Sequence, residues 1–190
     1  MSGDEFHVHG PHDHEVEHVA EHGGDDFSSR IAVMTAVMAT VGALFGYQGG
    51  ATQNDAAMYK NNAAIKKTEA SDQWNFYQSK SNKQNLMELA QLLPAADVEK
   101  YKSEVARYKS EKEDIKKKAE EFEAEAAKWE KASEEALHQH HRWAQAMTAV
   151  QIAISLAAIT LLTRKKWLQI GSYCVAGGGV ILAVLAWFHH

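Results

Sequence analysis

The sequence has few of the residues that interrupt helices or crosslink a fold. It contains two prolines and one cysteine, Cys174, in 190 residues. Scarce proline permits long uninterrupted helices, and a single cysteine excludes a disulfide within the chain. Runs of alternating apolar and polar residues between turn signals, which would predict strands, are also missing. Together these absences favour an all-α protein.

Three stretches, which begin at Ile31, Trp143 and Trp167, have no charged residues, although 24% of the chain is charged and its net charge is −5. Each stretch is long enough to cross the roughly 30 Å hydrocarbon core of a membrane as a helix. Trp143, Trp167 and Trp187 lie at the ends of the last two stretches, which is typical of tryptophans that anchor a helix at the membrane interface. We therefore predict transmembrane helices at residues 27–51, 143–163 and 167–188.

Apolar and small residues recur at alternating steps of three and four from Val98 to Leu161. A repeat of about 3.5 residues keeps one stripe of a helix facing a partner helix and is typical of a coiled coil. Lys112, Ser133 and His140 are the polar breaks in this repeat. The pattern predicts a coiled-coil helix that continues into the second membrane helix.

The charged middle of the sequence is predicted to fold back on itself. Pro94 opposes continuation of the helix before it, and Asp97 can cap the helix after it. Residues 52–142 should therefore form an antiparallel helical hairpin, a coiled-coil stalk with its turn near Pro94. The heptad register of the first stalk helix is poor, which predicts packing through small and amide side chains. The expected fold is an all-α membrane protein with three transmembrane helices and this stalk between the first and second.

Glycines in the first apolar stretch are spaced four residues apart, at Gly42, Gly46 and Gly50. Small residues at this spacing let two helix backbones approach closely in lipid, where packing drives association. We predict a helix-packing face here, either within the chain or between copies. The alternative is that glycines are simply frequent in membrane helices.

Residues 1–26 are acidic and rich in histidine, and we expect a disordered tail. Imidazoles at these spacings can bind zinc, nickel or copper, and the alternative is a solvated tail without metal. The candidate ligands are His7, His9, His12, His14, His18 and His22.

The link Arg164-Lys165-Lys166 between the last two apolar stretches carries three positive charges. Basic loops favour the cytoplasmic side of a membrane. The amino terminus is then cytoplasmic, and the stalk and the carboxyl terminus are periplasmic or external. We predict a multi-pass protein of a bacterial inner membrane.

The segment Ser71-Asp-Gln-Trp-Asn-Phe-Tyr-Gln-Ser-Lys80-Ser81 follows a membrane segment rich in small residues. Together with the start Phe6-His-Val-His-Gly-Pro-His-Asp-His14, it resembles the bacterial membrane family catalogued as domain of unknown function 4337. The resemblance covers nearly the whole chain. It implies an integral membrane protein with a helical stalk, and it implies no activity and no site residues.

Motifs of catalysis are missing as well. We find no phosphate-cradling glycine loop, nucleophile elbow or paired-cysteine zinc pattern, so we expect no enzyme. The favoured function is a membrane scaffold or accessory subunit, in a homo-oligomer or a membrane-protein complex, whose stalk binds a partner.

Two other functions remain open. A histidine-based metal-binding or metal-sensing membrane protein is the second hypothesis. A transporter or channel is the third hypothesis. It ranks last, because the apolar stretches lack the ionisable groups that ion pathways use. Apart from a divalent metal we expect no cofactor, no nucleic acid and no small-molecule substrate.

Overall fold

The chain is described by a computed structural model over residues 26–94 and 97–188. Over these residues it is helical, with α1 at Asp26–Ala90, α2 at Val98–Thr163 and α3 at Lys166–Phe188. Each of the three helices contains a stretch long and apolar enough to cross a membrane. The prediction of an all-α protein with three such helices is therefore confirmed.

The ends of the helices have identifiable causes. Helix α1 ends at Ala90, and the backbone N–H of Leu93 donates to the carbonyl of Ala90 at 3.3 Å in the turn that precedes Pro94. Asp97 caps α2 as predicted, because its Oδ1 accepts from the N–H of Lys100 at 3.1 Å. Capping satisfies one of the N–H groups that the first turn of a helix leaves unpaired.

The turn between α2 and α3 contains an unusual backbone conformation. Arg164 has a φ of 53°, in the left-handed region that glycine normally occupies after a helix. Its N–H donates to the carbonyl of Thr160 at 2.8 Å, which closes the last turn of α2. An arginine here is strained by about 1 kcal/mol relative to glycine. The sequence therefore has an arginine at a position whose backbone conformation favours glycine.

The chain divides into two compact units, which we name by their composition. The apolar unit comprises the described residues of Met1–Gln53 and Leu137–His190. The charged unit is Asn54–Ala136. Each unit takes one segment from α1 and one from α2, and the apolar unit also contains α3.

The apolar unit packs through small residues and a few larger apolar side chains. Ile31, Met38 and Val150 pack with two alanines of α2 in one cluster. Gly179 of α3 lies so close to α2 that an added Cβ would meet the carbonyl oxygen of Ala146 at 3.1 Å. Such close approach of backbones is the usual basis of helix packing in lipid.

The charged unit packs through alanines on both helices. Ala56, Ala63 and Ala70 of α1 are buried and lie seven residues apart. The predicted repeat of α2 supplies the opposite side, where five of its members are also buried: Val105, Ile115, Ala119, Ala126 and Ala136.

Small and amide side chains were predicted to pack this part of α1, and Gln84 is buried in the same seven-residue register as Ala70. The regular spacing of these buried residues, a heptad pattern of their own, was not predicted.

Candidate interaction surfaces

The polar breaks in the α2 repeat make contacts with α1 in both units. In the charged unit, the hydroxyl of Ser133 donates to the carbonyl of Ala56 at 2.8 Å, and Lys112 Nζ donates to Gln84 Oε1 at 3.3 Å. In the apolar unit, His140 Nδ1 lies 2.8 Å from the carbonyl oxygen of Gly49. A carbonyl oxygen only accepts, so this geometry places the proton of the imidazole on Nδ1. Each of these polar residues therefore fixes the register of α2 against α1 at its own position.

Lysines in the charged unit lie over aromatic rings and beside carboxylates. Lys80 Nζ is 2.5 Å from Glu111 and 5.5 Å from the ring centre of Tyr108. Lys66 Nζ lies 4.9 Å from the ring centre of Phe122 and 3.0 Å from Glu125. The lysine stems cover apolar surface while the ammonium groups reach carboxylates and ring faces. Lysine thus fills positions where a shorter polar side chain would leave the helices in poor contact.

These contacts shift the protonation of the groups involved. The hydrogen bond from Lys80 lowers the pKa of Glu111 from its ordinary 4.5, and the bond from Lys60 lowers that of Glu130. Hydrogen bonds to Glu69 and then Glu125 raise the pKa of Lys66 above 10.5. All of these groups are solvent-accessible, so each pair contributes little to stability by itself. The role of these ion pairs is to determine which residues of α1 and α2 face each other.

Trp74 and Asn75 of the Asp-Gln-Trp-Asn block line an open groove in the charged unit, with a volume of about 630 Å³. The indole Nε1–H of Trp74 donates to Oε1 of Glu123, which also lines the groove, at 2.8 Å. Ala70 and Ala126 form an apolar part of the wall, while Asn75 adds an amide. A half-buried aromatic ring held beside small and polar groups is typical of a protein-binding surface. This groove is the candidate partner site of the charged unit.

The predicted packing glycines of α1 have two different environments. A Cβ added at Gly42 would lie 3.3 Å from Val150, and one at Gly46 would lie 3.2 Å from Met147, both on α2 of the same chain. A Cβ added at Gly50 would meet nothing within 4 Å. Gly42 and Gly46 therefore face α2, and Gly50 faces open space.

A second set of glycines, on α3, was not singled out from the sequence. Added Cβ atoms at Gly171, Gly177 and Gly178 would meet nothing within 4 Å. Gly171 and Gly178 are seven residues apart and share a helix face with Cys174, which is exposed. The periodicity could have revealed this face, because its members follow steps of three and four.

The three predicted interfacial tryptophans differ in burial. Trp143 is buried, lies 5.7 Å from the ring of Phe45 and meets Trp187 edge-on at 6.4 Å between ring centres. Trp187 and Trp167 are exposed. Trp143 thus packs within the apolar unit, and the interfacial role of all three residues stays a prediction.

The predicted metal ligands of the tail lie outside the described residues, which begin at residue 26: His7, His9, His12, His14, His18 and His22. Within the described residues, no group of three or more histidine, cysteine, aspartate or glutamate side chains is arranged to hold a metal ion. The metal hypothesis for the tail histidines stays a prediction.

The comparisons with known proteins give one positive result. The family model described as "Domain of unknown function (DUF4337)" matches residues 27–189. This match confirms the resemblance drawn from the Asp-Gln-Trp-Asn block. No curated protein and no solved structure matches the chain.

Proposed function

Since this chain belongs to the DUF4337 family, whose description names no activity, we propose from its own architecture that it is an integral membrane scaffold or accessory subunit without catalysis. Its three helices cross a bacterial inner membrane, and its charged unit is an antiparallel coiled-coil stalk that binds a partner. One observation carries this proposal: α1 and α2 together build both an apolar unit and an ion-paired unit. The surface of the apolar unit is suited to lipid, and the surface of the ion-paired unit is suited to water.

Exposed apolar side chains support insertion of the apolar unit. Large hydrophobic residues such as Val37, Leu44, Ile152, Ile170 and Val180 are exposed on its helices. In water this much exposed apolar surface would drive aggregation, whereas lipid covers it. Helix α3 has 23 residues, which is about 34 Å at 1.5 Å per residue. That length suffices for a hydrocarbon core of about 30 Å.

The order of contacts supports an antiparallel stalk. Lys60 pairs with Glu130, Lys66 with Glu125, and Lys80 with Glu111. Residues later in α1 therefore meet residues earlier in α2, as in a hairpin. Buried positions on both helices recur every seven residues, as in a coiled coil.

The basic turn supports one orientation. Arg164, Lys165 and Lys166 are exposed together between α2 and α3. By the positive-inside rule this turn and the amino terminus are cytoplasmic, and the stalk and the carboxyl terminus are periplasmic or external.

The open glycine face of α3 is the surface through which we propose that copies associate. Gly42 and Gly46 contact α2 of their own chain, so they are less suited to a second copy. Gly171 and Gly178 have open space in front of them, with the thiol of Cys174 between them. Small residues on an exposed membrane helix permit close contact with the same helix of a partner.

Oxidation of Cys174 in native membranes tests this self-association. Two copies packed through this face bring their Cys174 residues close enough for a disulfide, which needs Cα atoms within about 7 Å. We expect a crosslinked species of about twice 21.1 kDa, lost in Cys174→Ser and strongly reduced in Gly178→Leu. Gly177→Leu is the matched control, because it adds the same side chain about 100° away around α3. Equal crosslinking in Gly178→Leu and Gly177→Leu would contradict the α3 face.

The native mass of the gently extracted protein tests the scaffold role itself. We expect either multiples of 21.1 kDa or additional mass from a partner protein. Trp74→Ala should release a partner held in the stalk groove. Phe76→Ala should retain it, because Phe76 is an exposed aromatic residue outside the groove. A monomer without a partner in native extracts would overturn the proposal.

A further inference from the structure

Between α1 and α3 the apolar unit has a cleft of about 550 Å³. Its walls are apolar side chains of α1, including Val33, Met34 and Val37, together with Tyr173 and Ala176 of α3. Val33, Val37 and Tyr173 are at least half exposed, so the cleft is open along its side. In a membrane, such a cleft is in contact with lipid chains.

One end of this cleft is polar and basic. Ser29 and Arg30 line that end, and the guanidinium of Arg30 lies 3.5 Å from the carboxylate of Asp26, with both side chains highly exposed. Ile31, the next residue, packs in the same cluster as Leu161, which lies one turn before Arg164. The basic turn and Arg30 are therefore at the same end of the apolar unit.

Lys166 continues the basic end on α3. It precedes Tyr173 by seven residues, which is two helical turns, so the two residues lie on the same face of α3. Lys166 is also the first residue of α3, where the helix dipole is positive. Arg164, exposed in the turn before α3, adds a further basic side chain at this end.

The length of the cleft matches one leaflet of a bilayer. From Ser29 to Met38 is nine residues along α1, or about 13 Å. Half of a hydrocarbon core of about 30 Å is of similar depth. A lipid whose phosphate lies at Arg30 can therefore place one acyl chain along the whole cleft.

We infer that this cleft binds an anionic phospholipid, with its headgroup between Arg30 and Lys166 and one acyl chain against Val33, Val37 and Tyr173. The charges favour an anionic over a zwitterionic headgroup. Each basic side chain near a membrane surface raises the affinity for anionic lipid about five-fold. The inference rests on the proposed membrane insertion and adds a lipid preference to it.

Native mass spectrometry of the full-length protein in detergent, titrated with phosphatidylglycerol or phosphatidylcholine of identical acyl chains, tests the inference. We expect tighter binding of phosphatidylglycerol, with a preference that falls as salt is raised. Arg30→Gln and Lys166→Gln should each reduce the preference about five-fold. Lys131→Gln removes the same charge in the charged unit and should leave the preference unchanged. Equal binding of the two lipids, or an unchanged preference in Arg30→Gln, overturns the inference.

Filling the cleft tests its apolar part. Val37→Trp should weaken binding of both lipids at the site, whereas Ile152→Trp, an equivalent change at an exposed position of α2 outside the cleft, should not. Unchanged binding in Val37→Trp overturns the site. The site is also overturned if the protein forms a dimer that excludes lipid and that Val37→Trp dissociates, because a second copy then fills the cleft.

Carbonate washing of native membranes separates failure of the inference from failure of the proposed function. A protein that stays in washed membranes without lipid preference overturns only the lipid site. A protein that washes out overturns insertion as well. The charge variants remain informative if Val37→Trp does not fold, because Arg30 and Lys166 are exposed.

Discussion

The apolar unit and the charged unit use the same spacing of small residues with different neighbours. On α1, Gly42 and Gly49 are buried in the apolar unit, and Ala56, Ala63 and Ala70 continue the seven-residue spacing in the charged unit. The proposed membrane insertion of the apolar unit accounts for its glycines, because two helices in lipid gain nothing from leaving that solvent and associate through close backbone packing. Alanine in the charged unit is flanked by lysine, glutamate and aromatic side chains, as at Lys66 and Phe122.

The difference shows what each solvent demands of a helix pair. In water, small seam residues bury little apolar area, so longer side chains must cover the seam and ion pairs must select the register. In lipid, apolar side chains have no reason to leave their solvent, so close contact and hydroxyl-to-carbonyl hydrogen bonds decide the packing. The apolar unit contains such a hydrogen bond, from the hydroxyl of Ser172 to the carbonyl of Ala153 at 2.7 Å.

Overpacking the two seams should have the largest effect. Gly179→Leu drives a side chain into the backbone of Ala146 and should destabilise the apolar unit by about 3 kcal/mol or more. Ala63→Leu should destabilise the charged unit by about 1–3 kcal/mol, because two helices can separate toward water more easily. Hydrogen–deuterium exchange of each unit measures both. Gly177→Leu, with open space at its Cβ, is the control. Equal protection in Gly179→Leu and Gly177→Leu would contradict the close packing of α3.

Removal of a seam lysine should have an intermediate effect that is confined to the charged unit. Lys80→Met keeps most of the apolar stem but loses the pair with Glu111 and the contacts with aromatic rings. We expect a loss of about 1 kcal/mol, measured by thermal unfolding. Lys131→Met, which breaks an exposed pair within one helix, should change little. Equal losses in the two variants would show that lysines at the seam have no special role.

Two serines allow the same hydrogen bond to be compared in both units. Ser133→Ala should cost about 1 kcal/mol in the charged unit. Ser172→Ala should cost about 0.6 kcal/mol, the average for such bonds in membrane proteins. Hydrogen exchange near each site reports the two losses. Ser103→Ala and Ser155→Ala are the controls, since both hydroxyls bond to their own helix. A much larger loss at Ser172 would indicate that lipid makes these bonds stronger than expected.

Acid and alkali should have the smallest effect and should act on the charged unit. The lowered pKa values of Glu111 and Glu130 give stability that is present above pH 4.5 and lost as the pH falls through those values. The raised pKa of Lys66 gives stability that is present below pH 10.5 and lost as the pH rises through it.

Circular dichroism melts across pH 3–11 in roughly unit steps would measure this dependence. Glu130→Gln should flatten the acid limb. Glu135→Gln should not, because Glu135 pairs with Lys131 of its own helix rather than with α1. A limb that is equally steep in both variants would assign the acid sensitivity to other carboxylates.

The sequence was sufficient for the features that depend on local chemistry. The three apolar stretches, the break before Asp97 and the α2 repeat were all predicted, because hydropathy, proline and heptad spacing act within a few residues. The family was recognised from the residues around Trp74. The open glycine face of α3 was not predicted, because the spacing of glycines does not show which of them contact a neighbouring helix.

The sequence by itself determined where this protein forms helices and which of their segments are apolar enough for a membrane. Only the tertiary structure decided that Ala56 and Gln84 share a seam, that Lys80 lies over Tyr108, and that Arg30 stands at the end of a cleft lined by Tyr173. The physical reason is that small residues have little hydrophobic signal and that lysine and arginine can point into a seam or away from it. The neighbouring helix decides which of these they do.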